Sequence, residues 1–437
     1  MKILLVAIIL IGAALSSACS ADQAPPAPPI PTPTIPARDV ESTAAWRADL
    51  AVLVEGMLEI HPDLFWRIPE NEFRAAVEAL DAKIPELTDR QIIIELARLA
   101  SLIDGHTHLP LFQEAVNFGI FPIKLHQFSD GLFVVDADAP NAHLIGSRVT
   151  AIGGKPADEA FDLVAGLVSR DNESTVRLLT PVYLTIPEVM QALGIIDEPD
   201  QPEYALTTPE GASITVNLVP NGSDQLRDWT SLFIDLARLP ERPEPLYLQN
   251  MDENFWYAPL EDAGSLYIQY NLVQDRSASG QSLRSMVTEI EAYLEENPAD
   301  RIILDMRHNP GGNINSAAPL LEMLVLAEAA NRPGGLAVII GPQTFSAATL
   351  FAVDLEQNLD PVFAGEPTGG RPNLYGDVRP VILPNSGIRV LVSSIYWERS
   401  DPDDRRDWIE PQLEAPLTAE DFFNGRDPAL EAILEQE

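Results

Sequence analysis

Between residues 251 and 437, short apolar runs rich in β-branched and aromatic residues alternate with runs whose apolar positions recur at helical spacing. SLYIQYN, RIILDMR, GLAVIIG, PVFAGE and IRVLVSSIYW read as strands, while SLRSMVTEIEAYLEEN and AAPLLEMLVLAEAA read as helices between several of them. Such alternation calls for an α/β layer on a largely parallel sheet. In sheets of that kind, sites gather at the carboxyl ends of strands.

The residues before this region divide by texture. MKILLVAIILIGAALSSACSA joins one lysine to an apolar run too short to span comfortably as a permanent helix, and residues 1–19 read as a secretory signal. Cys19, the only cysteine, ends it and is the candidate for lipidation, although Ser16 stands where a lipobox usually has leucine; ordinary cleavage nearby is the other reading. A single cysteine excludes an internal disulfide. Residues 20–39 are a proline-rich tether that favours extended polyproline II. The chain is therefore expected to be exported, to the periplasm or cell envelope, and held there by lipid at Cys19. Residues 40–113 carry helical periodicity, 114–222 mix short β-rich runs with two helical ones, and 223–250 form a polar, proline-containing connector to the α/β region at 251–437. With 28 basic residues against 66 acidic, a net charge of -38 repels phosphate, which argues against a nucleic-acid partner.

Two segments of the α/β region end a strand in residues suited to chemistry. RIILDMRHNPGGN runs into Gly311 and Gly312, where backbone N–H groups can approach a ligand closely. GLAVIIGPQTFSAATLFAVDL runs from a strand to Ser346, which opens a helix. Serine is a favoured N-cap, so Ser346 reads either as a cap or as a nucleophile with the Ala347 N–H as oxyanion donor. A nucleophile needs a base. All four lysines lie outside 251–437, which excludes a serine–lysine dyad built within that region and leaves histidine. SLIDGHTHLP, directly after an apolar helix, offers His106 and His108 in a polar loop. Asp104, His106 and His108 are also good zinc ligands, but only His126, His143 and His308 remain downstream to complete a catalytic metal site.

IDGHTH, LIGSRVTAIGGKPADEAFDLV, IILDMRHNPGG, TFSAATLFA and GEPTGGRPNLYG, in that order, resemble the C-terminal processing peptidases, the serine peptidases that include tail-specific proteases and the tricorn core. The resemblance covers most of the chain after the tether. It implies a helical N-terminal domain, a PDZ-like module over 114–222 and a ClpP/crotonase-like catalytic domain. It further implies Ser346 as nucleophile, His106 as base, and an oxyanion hole from Gly311, Gly312 and Ala347. Two departures stand out. The bacterial members use a lysine near GxTxG where this chain has Arg371, which cannot act as a base, so the chain looks like the histidine-using branch. The tricorn core has a serine immediately before its histidine, and here that residue is Gly105.

Candidates for the acid that orients His106 are Glu366, Glu398 and Asp404, and Arg371 is a candidate for binding a substrate carboxylate. The reaction so read is amide hydrolysis of peptides or unfolded chain ends, without metal or cofactor. Because His106 precedes Ser346 by a whole module, the pair can form only where the helical domain docks on the α/β one. A second reading is a tethered, non-catalytic protein that keeps the fold and binds a peptide or apolar ligand in the cleft.

Overall fold

The computed structural model describes residues 39–198, 202–220 and 244–436. The signal, Cys19 and the tether up to residue 38, together with connector residues 221–243, lie outside the described residues. The fold is mixed α/β with several sheets.

Three helices open the described chain: α1 (Val40–Ile60), α2 (Glu70–Lys83) and α3 (Asp89–Ser101). A capping box starts α3: the Gln91 N–H donates to Thr88 Oγ1 at 3.2 Å and the Thr88 N–H to Gln91 Oε1 at 3.0 Å. Ile92, Ile94, Leu96 and Leu99 bury the inner face of this helix. An antiparallel sheet follows, from β1 (Ile123–Phe128), β2 (Gly131–Ala137), β3 (Arg148–Ile152), β4 (Lys155–Pro156), β5 (Glu203–Thr207) and β6 (Ser213–Asn217). Between β4 and β5 lie α4 (Ala157–Ala165), α5 (Glu173–Tyr183) and α6 (Pro187–Ala192).

The expected parallel sheet is present. β8 (Ser265–Tyr270), β9 (Arg301–Asp305), β10 (Leu336–Ile340), β11 (Val362–Gly365) and β14 (Leu413–Glu414) run parallel, with β7 (Phe255–Leu260) antiparallel on the β8 edge. Every residue of β8 and β10 is buried, as strands covered on both faces must be. One face packs on α7 (Leu283–Glu296), α8 (Ala318–Leu326) and α9 (Ala347–Asn358); the other packs on α11 (Pro428–Leu434), which follows the short α10 (Ala419–Phe423).

IRVLVSSIYW departs from the expected place. It forms β13 (Arg389–Trp397), which pairs antiparallel with β12 (Leu374–Ile382) in a separate two-stranded hairpin. The reason lies in its partners. Val390 and Val392, with Val381, Leu383 and Ile388, bury themselves against the N-terminal helices in the core those helices share with the antiparallel sheet. Gly56 in α1 allows this approach, since a Cβ there would meet Val381 Cγ2 at 2.6 Å. Asp49 seals the hairpin tip by accepting the Asn385 and Ser386 N–H groups, each at 2.9 Å.

Candidate active site

The turn between β10 and α9 is determined from several directions. Thr344 Oγ1 accepts the Gly341 N–H at 3.0 Å and donates to the Met306 carbonyl at 2.8 Å; the Phe345 N–H donates to the Asn309 carbonyl at 3.0 Å. From the far side the Gly369 N–H reaches the Thr344 carbonyl at 3.0 Å, and Gly370 comes so close that a Cβ would meet Thr349 Oγ1 at 2.5 Å. Within this clamp Ser346 has φ 52° and ψ −127°, a conformation that suits glycine and strains other residues. Although it stands immediately before α9, its side chain makes no capping hydrogen bond. The cap reading therefore fails in its defining contact.

The glycine loop packs directly on this turn. A Cβ on Gly311 (φ 110°) would lie 2.7 Å from Ser346 Cβ and 2.9 Å from the Ala347 nitrogen. Its own N–H is committed to Asn309 Oδ1 at 3.0 Å. Of the three amides expected to form an oxyanion hole, Gly311 is thus occupied, whereas those of Gly312 and Ala347 have no hydrogen-bond partner among the described residues. Gly312 and Ala347 line a cleft of about 610 Å³ with Ser346, Leu350, Asp377 and Trp397.

The His106 loop leaves α3 and crosses to the hairpin. His108 and Leu391 exchange both backbone hydrogen bonds at 2.9 Å, extending the hairpin by one antiparallel bridge. Asp104, fully buried, fixes the loop. Its Oδ1 accepts the N–H groups of His106 and Thr107 at 2.7 Å and the Ser393 hydroxyl at 2.9 Å, while Oδ2 meets His61 Nε2 at 2.8 Å and the Thr107 hydroxyl at 3.0 Å. Burial opposes its ionisation, but the His61 hydrogen bond and the charge of His106 hold the carboxyl below its ordinary value. These contacts stack the His106 ring on Phe345, next to the candidate nucleophile, with centroids 4.4 Å apart. Burial lowers His106 to about 4, against the opposing pull of Asp104, Asp377 and the Tyr375 backbone, so the ring is neutral at pH 7.

Asp171, just before α5, was not singled out from the sequence. Its Oδ1 accepts the Gly105 N–H at 2.9 Å, its Oδ2 has no hydrogen-bond partner among the described residues, and burial, reinforced by the charge of Asp104, raises it to about 7. A Cβ at Gly105 would lie 3.0 Å from the Asp171 carboxyl carbon, so a serine before the histidine has no room unless Asp171 moves.

The candidate orienting acids lie elsewhere. Glu366 pairs with Arg177 at 3.0 Å, and with His126 and His308 it lines a different cavity. Asp404 is held by Ser400 at 2.6 Å and by the Arg406 guanidinium at 2.9–3.1 Å; Glu398 is exposed. None of the three contacts His106 among the described residues, where the carboxylates acting on the ring are those of Asp104 and Asp377. Arg371 likewise is committed, to Asp407 at 2.5 Å and to the Arg405 carbonyl at 3.3 Å, with its guanidinium over Trp66. That engagement removes it from the role of a free substrate-carboxylate binder. Asp104 was legible as a polar loop residue, but nothing in the sequence ties Asp377 or Trp397 to the cleft.

No family model and no curated protein matches the sequence. Among solved structures, the chain is similar to a crystal structure of a CPAF mutant, with a TM-score of 0.61 at 15% identity over 87% of this chain and 95% of that one. Mature CPAF complexed with lactacystin gives 0.59 at 14% identity over 89% and 97%. A photosystem II D1 C-terminal processing protease gives 0.40 at 14% identity over 90% and 96%. The CPAF figures show a shared fold.

Proposed function

We propose that this chain is a serine-type peptidase in which Ser346 is the nucleophile and His106 its base. The observation that carries this reading is the backbone of Ser346: a strained serine before a helix, making no cap bond and packed against Gly311, beside a histidine held over Phe345. Neutral His106 takes the Ser346 proton as the hydroxyl attacks a substrate carbonyl, and the N–H groups of Gly312 and Ala347 receive the developing oxyanion. The imidazolium, favoured by the charges of Asp104 and Asp377, returns its proton to the leaving amine, and water then releases the acyl group from Ser346. Asp104 takes the orienting part through the backbone N–H of His106 rather than through its ring.

The finer assignments belong to the same proposal. The antiparallel sheet with α4 and α5 is read as a PDZ-like module and the parallel sheet as a ClpP/crotonase-like domain, with peptides or unfolded chain ends as substrates. The apolar N-terminal run supports export, with Cys19 as the point of lipid attachment.

The test is labelling of the mature protein with an alkyl fluorophosphonate, mapped by mass spectrometry, beside Ser346→Ala and His106→Ala. Modification of Ser346, lost in both variants, is the expected result. A folded protein that takes no label would make Ser346 unactivated and the cleft a binding site only.

A further inference from the structure

The cleft over Ser346 contains one carboxylate whose role the hydrolysis does not exhaust. Asp377 is exposed, and among the described residues no arginine or lysine lies within ion-pair distance of it. In so acidic a protein most cations are already engaged: Arg177, Arg307, Arg371, Arg399 and Arg406 all face carboxylates. Asp377 is fixed nonetheless. Trp397 Nε1 donates to its Oδ2 at 2.7 Å and the Ser394 hydroxyl donates to its carbonyl, at a backbone φ of 51°. Among the described residues its Oδ1 has no protein donor. Around it the cleft mixes apolar side chains, Ile314, Leu350, Val378, Ile395 and the Trp397 ring, with the amides of Asn313 and Asn315.

An anchored carboxylate with one oxygen unengaged, at one side of a cleft that joins apolar side chains to two asparagines and also contains Ser346, matches the chemistry of a lysine or arginine side chain. The apolar walls take its methylene stem, and Asp377 takes the charged head, with the indole face as a further cation acceptor. We propose that Asp377 and Trp397 form a subsite that selects substrates with a basic residue beside the scissile bond. A neutral residue of similar length would fill the same walls and leave the carboxylate without a counter-ion. The net charge of -38 attracts cationic peptides to the protein as a whole. The subsite rests on the peptidase reading of Ser346.

The test uses internally quenched peptides of otherwise neutral sequence, in which one lysine is moved through each position and compared with leucine at that position. In the native protein, one position within two residues of the cut should favour lysine by about tenfold or more in kcat/KM. Asp377→Asn should bring the lysine-to-leucine ratio close to one, while Asp377→Glu should keep part of the preference. The ratio is the decisive readout, because any effect of Asp377 on His106 cancels between the two substrates. A ratio unchanged in Asp377→Asn, no position that favours lysine, or a protein that takes the fluorophosphonate at Ser346 yet cuts none of the peptides would overturn the subsite. Failure of Ser346 to take the fluorophosphonate at all overturns the peptidase reading, and the subsite with it.

Discussion

Ser346 is where the sequence is most ambiguous, because a helix cap and a nucleophile ask for the same thing, a small hydroxyl residue ahead of an apolar helix. What separates them is the backbone, and the backbone is set by residues far away in the chain: Asn309, Met306, Gly369 and Gly370. A cap can be tested by removing it. Ser346→Gly would cost a few tenths of a kcal/mol if the hydroxyl capped α9. With φ at 52° and no cap bond, the substitution should instead stabilise the fold by roughly 1 kcal/mol by releasing strain, with fluorophosphonate labelling abolished. Denaturant midpoints of the two proteins decide the sign. Gly311→Ala probes the same contact from the other side. Its methyl would press on Ser346 Cβ and the Ala347 nitrogen from a backbone that disfavours a side chain, so the labelling rate should fall by about 100-fold or more. The rate should also report His106. The proposed mechanism needs His106 neutral, and burial lowers it to about 4, so labelling should hold from pH 7 down past 6 and decline only as the pH approaches 4. An acid limb near 6.5 would mean a solvated imidazole.

The hairpin of β12 and β13 does for the site what no single residue can. It leaves the parallel sheet, inserts apolar side chains among the N-terminal helices, and offers β13 as the edge to which the histidine loop is stitched at Leu391 and Ser393. The parallel sheet was legible because short apolar runs such as β10 alternate with helical ones, and α3 because its apolar positions recur at helical spacing. IRVLVSSIYW has the same composition as a sheet strand, and only its long-range partners make it a hairpin arm; periodicity is blind to those. For the same reason Asp377 and Trp397 could not be connected to Ser346, and of the acids expected to orient His106, Glu366 and Asp404 hold Arg177 and Arg406 instead, while Glu398 is exposed. Asp49 gives a way to loosen the hairpin without touching the cleft. Asp49→Ala leaves the Asn385 and Ser386 amides without their buried acceptor and should cost about 1–3 kcal/mol. Faster amide exchange from Asn385 to Leu391, together with slower labelling of Ser346, is the expected pair of changes. Loss of stability with labelling at the native rate would separate the docking of the hairpin from the placement of His106.

Acid should unfold this protein earlier than its carboxylates alone would dictate. Burial lowers His106 and His126 to about 4 and His308 to about 3. In the unfolded chain all three titrate near the ordinary histidine value of about 6.5. Between about 6.5 and 4, then, the unfolded state binds protons that the folded state refuses, and stability falls as the pH is lowered. Asp171 works in the opposite direction. Its folded value of about 7 lies above the ordinary carboxylate value, so the folded protein takes that proton first, and its burial becomes less costly as the pH drops from about 7 toward 4. With His108 also lowered by burial, four histidines against Asp171 leave a net loss, and the melting temperature should decline from pH 6.5 to pH 4.5. Asp171→Asn separates the two contributions, since it removes the opposing group and keeps the histidines. At pH 7.5 the variant avoids holding a buried carboxylate ionised, so it should compare most favourably with the native protein there. On acidification its melting temperature should fall more steeply, and the advantage should shrink or reverse by pH 4.5. Parallel melting curves for the two proteins over this range would place the titration of Asp171 outside it.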